Sequence, residues 1–180
     1  MSVPAALDPV EAVKKAFPQA VDEVVEYAGE TTLVLNPDYL PSVARYLRDT
    51  AGLVYNFLSD ISAVDYYPNI ENPRPERYGV CYHLLSMLYA RRLRLKVYVS
   101  EDAPQVETVT TVWPGANFPE REVMDMMGVD FKNHPDKRRI LMPEDWNGHP
   151  HRRDYPLGYE TPMFSFNADE IMKHKPRGKE

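Results

Sequence analysis

An α+β fold is predicted: a mixed or antiparallel sheet packed by helices, with a long irregular C-terminal extension. Three observations predict it. β-Branched and alternating apolar runs at 21–35 and 91–99 mark strands, and capped apolar stripes at 8–17, 38–50 and 117–128 mark helices. After residue 128 no period of 3.6 or 2 is sustained. The expected division is therefore a globular part, 1–128, and an extended partner-wrapping segment, 129–180.

Asp8 is placed to cap the first helix, Pro9 suits its first turn, and Val10, Val13 and Phe17 share a stripe. Pro18 ends it. Ala28-Gly29-Glu30 separates Val21–Tyr27 from Thr31–Leu35, which reads as a hairpin. Asn36-Pro37-Asp38 opens a helix to about Thr50 with Leu40, Val43, Ala44 and Leu47 buried and Gly52 beyond its end. Leu53–Tyr67 is expected to be a strand descending into a loop, and the proline-rich run 68–77 a surface connection. Residues 78–100 read as a long hairpin turning near Ala90. Its second arm alternates Leu93, Leu95, Val97 and Val99 with Arg92, Arg94, Lys96 and Tyr98, so the basic residues belong to a solvated face rather than to a nucleic-acid patch. The helix 117–128 carries Glu120 and Glu122 in its first turns and Gly128 at its end, with Val123, Met126 and Met127 turned to the core. Arg121 and Asp125, four apart, are expected to pair along it.

The chain has 180 residues, 43% hydrophobic and 27% charged, which excludes wholly disordered and fibrous classes. The longest run without Asp, Glu, Lys or Arg is Tyr78–Ala90, too short for a bilayer-spanning helix of roughly 20 residues. No basic region followed by an apolar run opens the sequence, so a non-secreted protein is expected. Cys81 is the single cysteine, which excludes an intrachain disulfide and any cysteine-ligated cluster or structural zinc site held by this chain alone. Residues 1–90 carry 6 basic and 12 acidic side chains, whereas the remainder carries 15 of each, so no basic arm for nucleic acid is present.

Chemistry-bearing residues are few. His134, His149 and His151 lie near Asp136, Glu144, Asp145 and Asp154, and a hydrolase could in principle activate water on a metal held by His134, His149 and Asp145. No histidine pair stands four apart on a helix, HExxH is absent, and two of these histidines precede prolines, where turn or packing roles are commoner. No Walker loop, GxGxxG or GxSxG occurs. Glu120, Glu122 and Asp125 could be an acid–base set, but acids at a helix start usually complement its dipole or pair with arginine. The segment 129–180 instead supplies apolar anchors, among them Phe131, Ile140, Trp146 and Tyr155, as a chain lying on a partner requires.

A resemblance sharpens this reading. The run Glu120-Arg121-Glu122-Val-Met-Asp125-Met-Met-Gly128-Val, then His134-Pro135-Asp-Lys-Arg138-Arg139-Ile-Leu, resembles the small hydrophilic core subunit, the C-type subunit, of proton-pumping NADH–quinone oxidoreductase, respiratory complex I. The continuation Met-Pro143-Glu-Asp145-Trp146-Asn-Gly148-His149-Pro150, and Arg152-Arg-Asp154-Tyr155-Pro-Leu, is similar as well. His151, where leucine is usual, and Met127, where an aromatic is common, depart from the pattern. The resemblance implies a non-catalytic structural core subunit of the peripheral arm, supporting electron transfer from NADH to quinone coupled to proton translocation. It implies no cofactor in this chain, with FMN, iron–sulfur clusters and quinone in partner subunits. The implied partners are the large, D-type quinone-side core subunit and other peripheral-arm subunits, at the cytoplasmic face of the membrane. Arg138, Arg139, Arg152 and Asp154 would be interface or intradomain ion-pair residues. The equivalent subunit of a membrane-bound hydrogenase or ferredoxin-dependent complex is the related alternative.

Overall fold

The computed structural model describes residues 4–68 and 76–156. Helix α1, Pro9–Ala16, begins where the Asp8 carboxylate accepts the Val10 N–H at 2.8 Å, and it buries Val13. Strands β1, Val21–Tyr27, and β2, Glu30–Leu35, pair through a two-residue turn at Ala28-Gly29. Both turn residues have positive φ, 51° and 77°, as the tight turn that matches strand twist demands. Helix α2, Leu40–Asp49, follows a short 3-10 turn and buries Leu40, Val43, Ala44 and Leu47, the expected face.

The strand expected in 53–67 does descend into a loop, at 66–68, but it starts four residues late. Residues 51–56 turn, with Tyr55 buried, and the strand comes afterwards as β3, Phe57–Asp65. The apolar Leu53-Val54-Tyr55 run fills the core from a turn, which periodicity cannot distinguish from a short buried strand. Strands β4, Tyr78–Ser86, and β5, Arg91–Val99, form the expected hairpin. β6, Gln105–Glu107, precedes helix α3, Asn117–Met127, and β7, Asp130–Lys132, follows it.

The main sheet has the order β1-β2-β5-β4-β3. It is antiparallel except where β2 lies parallel to β5, pairing Leu33 with Leu95 and Leu35 with Val97, so the sheet is mixed. One face meets the three helices around a single apolar core of Val13, Leu47, Tyr82, Leu95, Trp113 and Phe131 among others. The other face carries Arg92, Arg94 and Lys96. Arg92 is exposed, whereas Arg94 reaches Glu30, and Lys96 is half-buried between the Tyr66 and Tyr98 rings, 4.9 and 4.6 Å from their centroids.

Beyond Gly128 the chain returns to the domain. β7 pairs in parallel with β6, and Phe131 is fully buried beside Val106 and Val109 in the core. The rest, to Pro156, is irregular as its lack of periodicity indicates, and it lies along α3. Of the expected extended segment, 157–180 lies outside the described residues.

Candidate interaction site

The residues singled out from the sequence converge on α3, and most spend their polar atoms inside the domain. Asp125 is the centre. Its side chain is buried on the last full turn of α3, and one carboxylate oxygen accepts the N–H groups of Ile140, Leu141 and Met142 at 3.0, 2.8 and 2.9 Å. The other accepts from Arg139 at 3.0 Å. Burial alone would raise this carboxyl, but the three N–H donors and Arg139 outweigh it and hold the group below the usual carboxylate range. An anion that accepts several backbone bonds folds a loop around itself.

Arg121 acts from the opposite direction. Its guanidinium donates to the carbonyls of Arg138 and Arg139 at 2.9 and 3.1 Å and lies 3.3 Å from the Asp136 carboxylate. The expected Arg121–Asp125 pair is therefore not made: each residue holds a different stretch of the 136–142 loop. Arg138, largely exposed, closes on Asp136 at 2.7 Å, which keeps the Asp136 carboxyl low. Pro135 and Pro143 bracket this loop.

The end of α3 is sealed by side chains that reach its last carbonyls. His149 Nδ1 lies 2.8 Å from the Asp125 carbonyl, Arg152 donates to that of Met127 at 2.8 Å, and the His151 N–H donates to Met126 at 2.9 Å. This last bond uses only backbone, so a histidine at 151 meets the same requirement as leucine. Burial, with Arg152 and Arg139 nearby, holds the His149 imidazole below its ordinary value despite the Asp125 carbonyl. Gly128 has φ 73°, and a Cβ there would run into Arg152 and lie 2.6 Å from the His149 ring. Glycine is required twice over. Gly148, at φ 84°, brings its backbone against the Tyr155 ring. Trp146 is half-buried, Pro150 follows His149 in the same seal, and Glu122 and Asp145 are exposed.

A second hub escaped sequence reasoning. Arg77, 4% exposed, binds Asp65 at 2.8 Å, Glu101 at 2.5 Å and Asp154 at 2.7 Å. Asp65 also accepts the Arg153 N–H at 2.9 Å, and Arg77 and Arg152 both stack on Tyr78, at 5.0 and 5.4 Å. The four ion-pair members stand at 65, 77, 101 and 154, too scattered for any local signal; only the place of Arg152 and Asp154 in the recognised motif pointed here.

The hydrolase set is not assembled. His134 contacts the Asn117 carbonyl at the start of α3, His149 sits at its end beside a guanidinium, and Asp145 is exposed. Among the described residues no three His, Cys, Asp or Glu side chains converge as ligands. The same surface also turns large apolar side chains outward: Phe118, Leu141 and Ile140 are 63, 57 and 37% exposed.

Residues 33–161 match the family described as respiratory-chain NADH dehydrogenase, 30 Kd subunit. The chain belongs to this family. The C-type subunit of the NADH-quinone oxidoreductase of Roseiflexus sp. (strain RS-1) is 45% identical over 171 residues, covering 95% of each chain. That of Geobacter sulfurreducens is 43% identical over 145 residues, 81% of this chain and 86% of the relative. Among solved structures, a trypsin-resistant fragment of Nqo5 superposes with a TM-score of 0.60 at 34% identity, covering 72% of this chain and 99% of the fragment. The membrane-bound sulfane sulfur reductase, an archaeal respiratory membrane complex, has a chain with the same fold at a TM-score of 0.66 and 21% identity, over 92% of this chain and 88% of that one. The family role is thus that of the small C-type core subunit of NADH–quinone oxidoreductase, complex I, and the metal-hydrolase reading is not favoured. The residues on which the resemblance was drawn include those that hold 134–155 against α3. No helix among the described residues is long and apolar enough to cross a membrane.

Proposed function

We propose that this chain is a structural subunit of the peripheral arm of NADH–quinone oxidoreductase, with no active site of its own, docked on the large quinone-side subunit. FMN, iron–sulfur clusters and quinone belong to its neighbours, and attachment at the cytoplasmic face of the membrane follows through them. The observation that carries this reading is the inversion of polarity around α3. Asp125, Arg121 and Arg139 spend their charges inward on the 136–142 loop, while Phe118, Ile140 and Leu141 point outward beside them. Exposed apolar side chains on a framework this well held are what a permanent protein contact requires. The segment 129–180 is then the docking element, through the outer surface of 129–156 and through 157–180.

The test is co-purification of the tagged full-length chain with the large quinone-side partner. Changing Phe118 and Leu141 together to glutamate should lower recovery of that partner at least about tenfold, since each buried anchor contributes ~1 kcal/mol or more. Unfolding of the isolated double variant should stay within about 0.5 kcal/mol of wild type, because both side chains are exposed. Undiminished recovery would place the contact elsewhere.

A further inference from the structure

Glu120 is fully buried in the first turns of α3, an unusual place for a carboxyl group. Its donors are two: the Val109 N–H at 2.8 Å and the Thr108 hydroxyl at 2.5 Å. The groups around it supply no cation. His134, whose Nε2 is 3.6 Å from the carboxylate, accepts the Asp136 N–H on Nδ1 at 3.0 Å, so its ring proton sits on Nε2. Tyr82 of β4 turns a buried hydroxyl toward this region that has no hydrogen-bond partner among the described residues. On β3 the inward residues Ile61 and Ala63 are apolar, and Asp65 is taken up by Arg77. On β7, Asp130 pairs with Lys137, and Lys132 is exposed. Along α3, Arg121 is committed to Asp136 and the 138–139 carbonyls, and Glu122 is exposed. The positive end of α3 favours the anion only modestly.

The Thr108 hydroxyl continues outward. It lies 2.9 Å from the Thr110 hydroxyl, which is half-buried, and it also accepts the Thr110 N–H. The three oxygens form a short chain from the buried carboxyl toward solvent.

We propose that Glu120 is a proton-binding site of the folded domain, loaded and unloaded through the Thr108 and Thr110 hydroxyls. In the loaded form the carboxyl O–H donates to Thr108, whose hydroxyl then donates to Thr110. In the unloaded form the direction reverses: Thr108 donates to the carboxylate. One proton moves and no bond other than O–H changes. Burial pushes this carboxyl up to about 7 against its two donors, so the change falls at neutral pH. Because Thr108 and Val109 follow β6 and Glu120 begins α3, the proton state sets how firmly the 105–110 segment grips the helix that carries Asp125 and Arg121.

The sign follows from linkage. A carboxyl raised in the folded state favours folding fully below its unfolded value near 4.5 and loses that contribution as pH rises through 7. Denaturant unfolding of the full-length chain and of Glu120→Gln between pH 5 and 8.5 tests this. The ratio of the wild-type to the variant folding constant should fall roughly fortyfold between pH 5 and 7, most steeply near 6, and level off above about 7.5. The ratio cancels histidines that titrate in the same window. The carbon-13 shift of the Glu120 carboxyl in the wild-type chain gives the same answer without a variant, and Thr108→Val should move its midpoint upward. A carboxyl titrating below pH 5, or parallel pH profiles for the two chains, would overturn the proposal.

Discussion

The sheet with its helices and the irregular segment 134–156 are held by opposite means. The first buries Val13, Leu33, Leu47, Tyr82, Leu95 and Phe131 around one core, where the favourable term scales with apolar area and is spread over many side chains. The second buries little of its own. It is drawn onto α3 and β3 by a few ionised groups, Asp125, Arg121, Arg77 and Asp65, each satisfying two or more partners. A distributed apolar core loses stability in steps as single residues are trimmed. A segment held by shared ions is released as a unit when one of them is lost, while the sheet beneath persists.

Three variants separate the two regimes. Phe131→Ala removes a fully buried ring at the seam between them, and about 3–5 kcal/mol should be lost from global unfolding, read by denaturant titration. If only 134–156 loosened, Phe131 would belong to the segment and not to the core. Asp125→Ala leaves three backbone N–H groups and Arg139 without their acceptor, at about 3 kcal/mol. Hydrogen exchange should accelerate at residues 140–142 and remain slow in β4 and β5. The same opening is expected on acidification of the wild type. The Asp125 and Asp65 carboxyls are lowered in the folded state, so their contribution is present above about pH 4 and lost as pH falls through their folded values. Glu120 acts in the opposite direction near neutrality, so the domain should be firmest between the two limits. The smallest effect belongs to Arg121→Ala, about 1 kcal/mol, because its partners in the 136–139 loop are partly exposed. Limited proteolysis should nick that loop first, and a loss as large as that of Asp125→Ala would show that the two residues act as one unit.

Much of the distributed part was legible in the sequence, and little of the concentrated part. α1 was readable from Asp8 and its stripe, the Ala28-Gly29 hairpin from its turn, and the buried face of α2 from spacing alone. β4 shows no clean alternation because both of its faces are covered. The parallel pairings of β2 with β5 and β6 with β7 join residues too distant for any local signal. Glu120 read as a dipole-complementing acid because sequence position cannot distinguish a surface first turn from a buried one. Arg121 and Asp125 have the spacing of a helical pair, yet each finds better partners in a loop that periodicity leaves blank. The concentration of recognised motif residues in 117–157 was informative. It marked the framework that holds the irregular segment as much as any surface offered to a partner.

The Arg77 hub bears on how the domain matures during synthesis. Asp65, Arg77 and Glu101 leave the ribosome in that order and can close on one another early. Asp154 and the Arg153 N–H follow about fifty residues later, roughly 3–10 s at ordinary elongation rates. During that interval the sheet can be complete while α3, Gly128 and the segment beyond still lack their seal. Translation thus provides a built-in order of events, in which the surface next to α3 acquires its final shape only after Arg153 and Asp154 have been made.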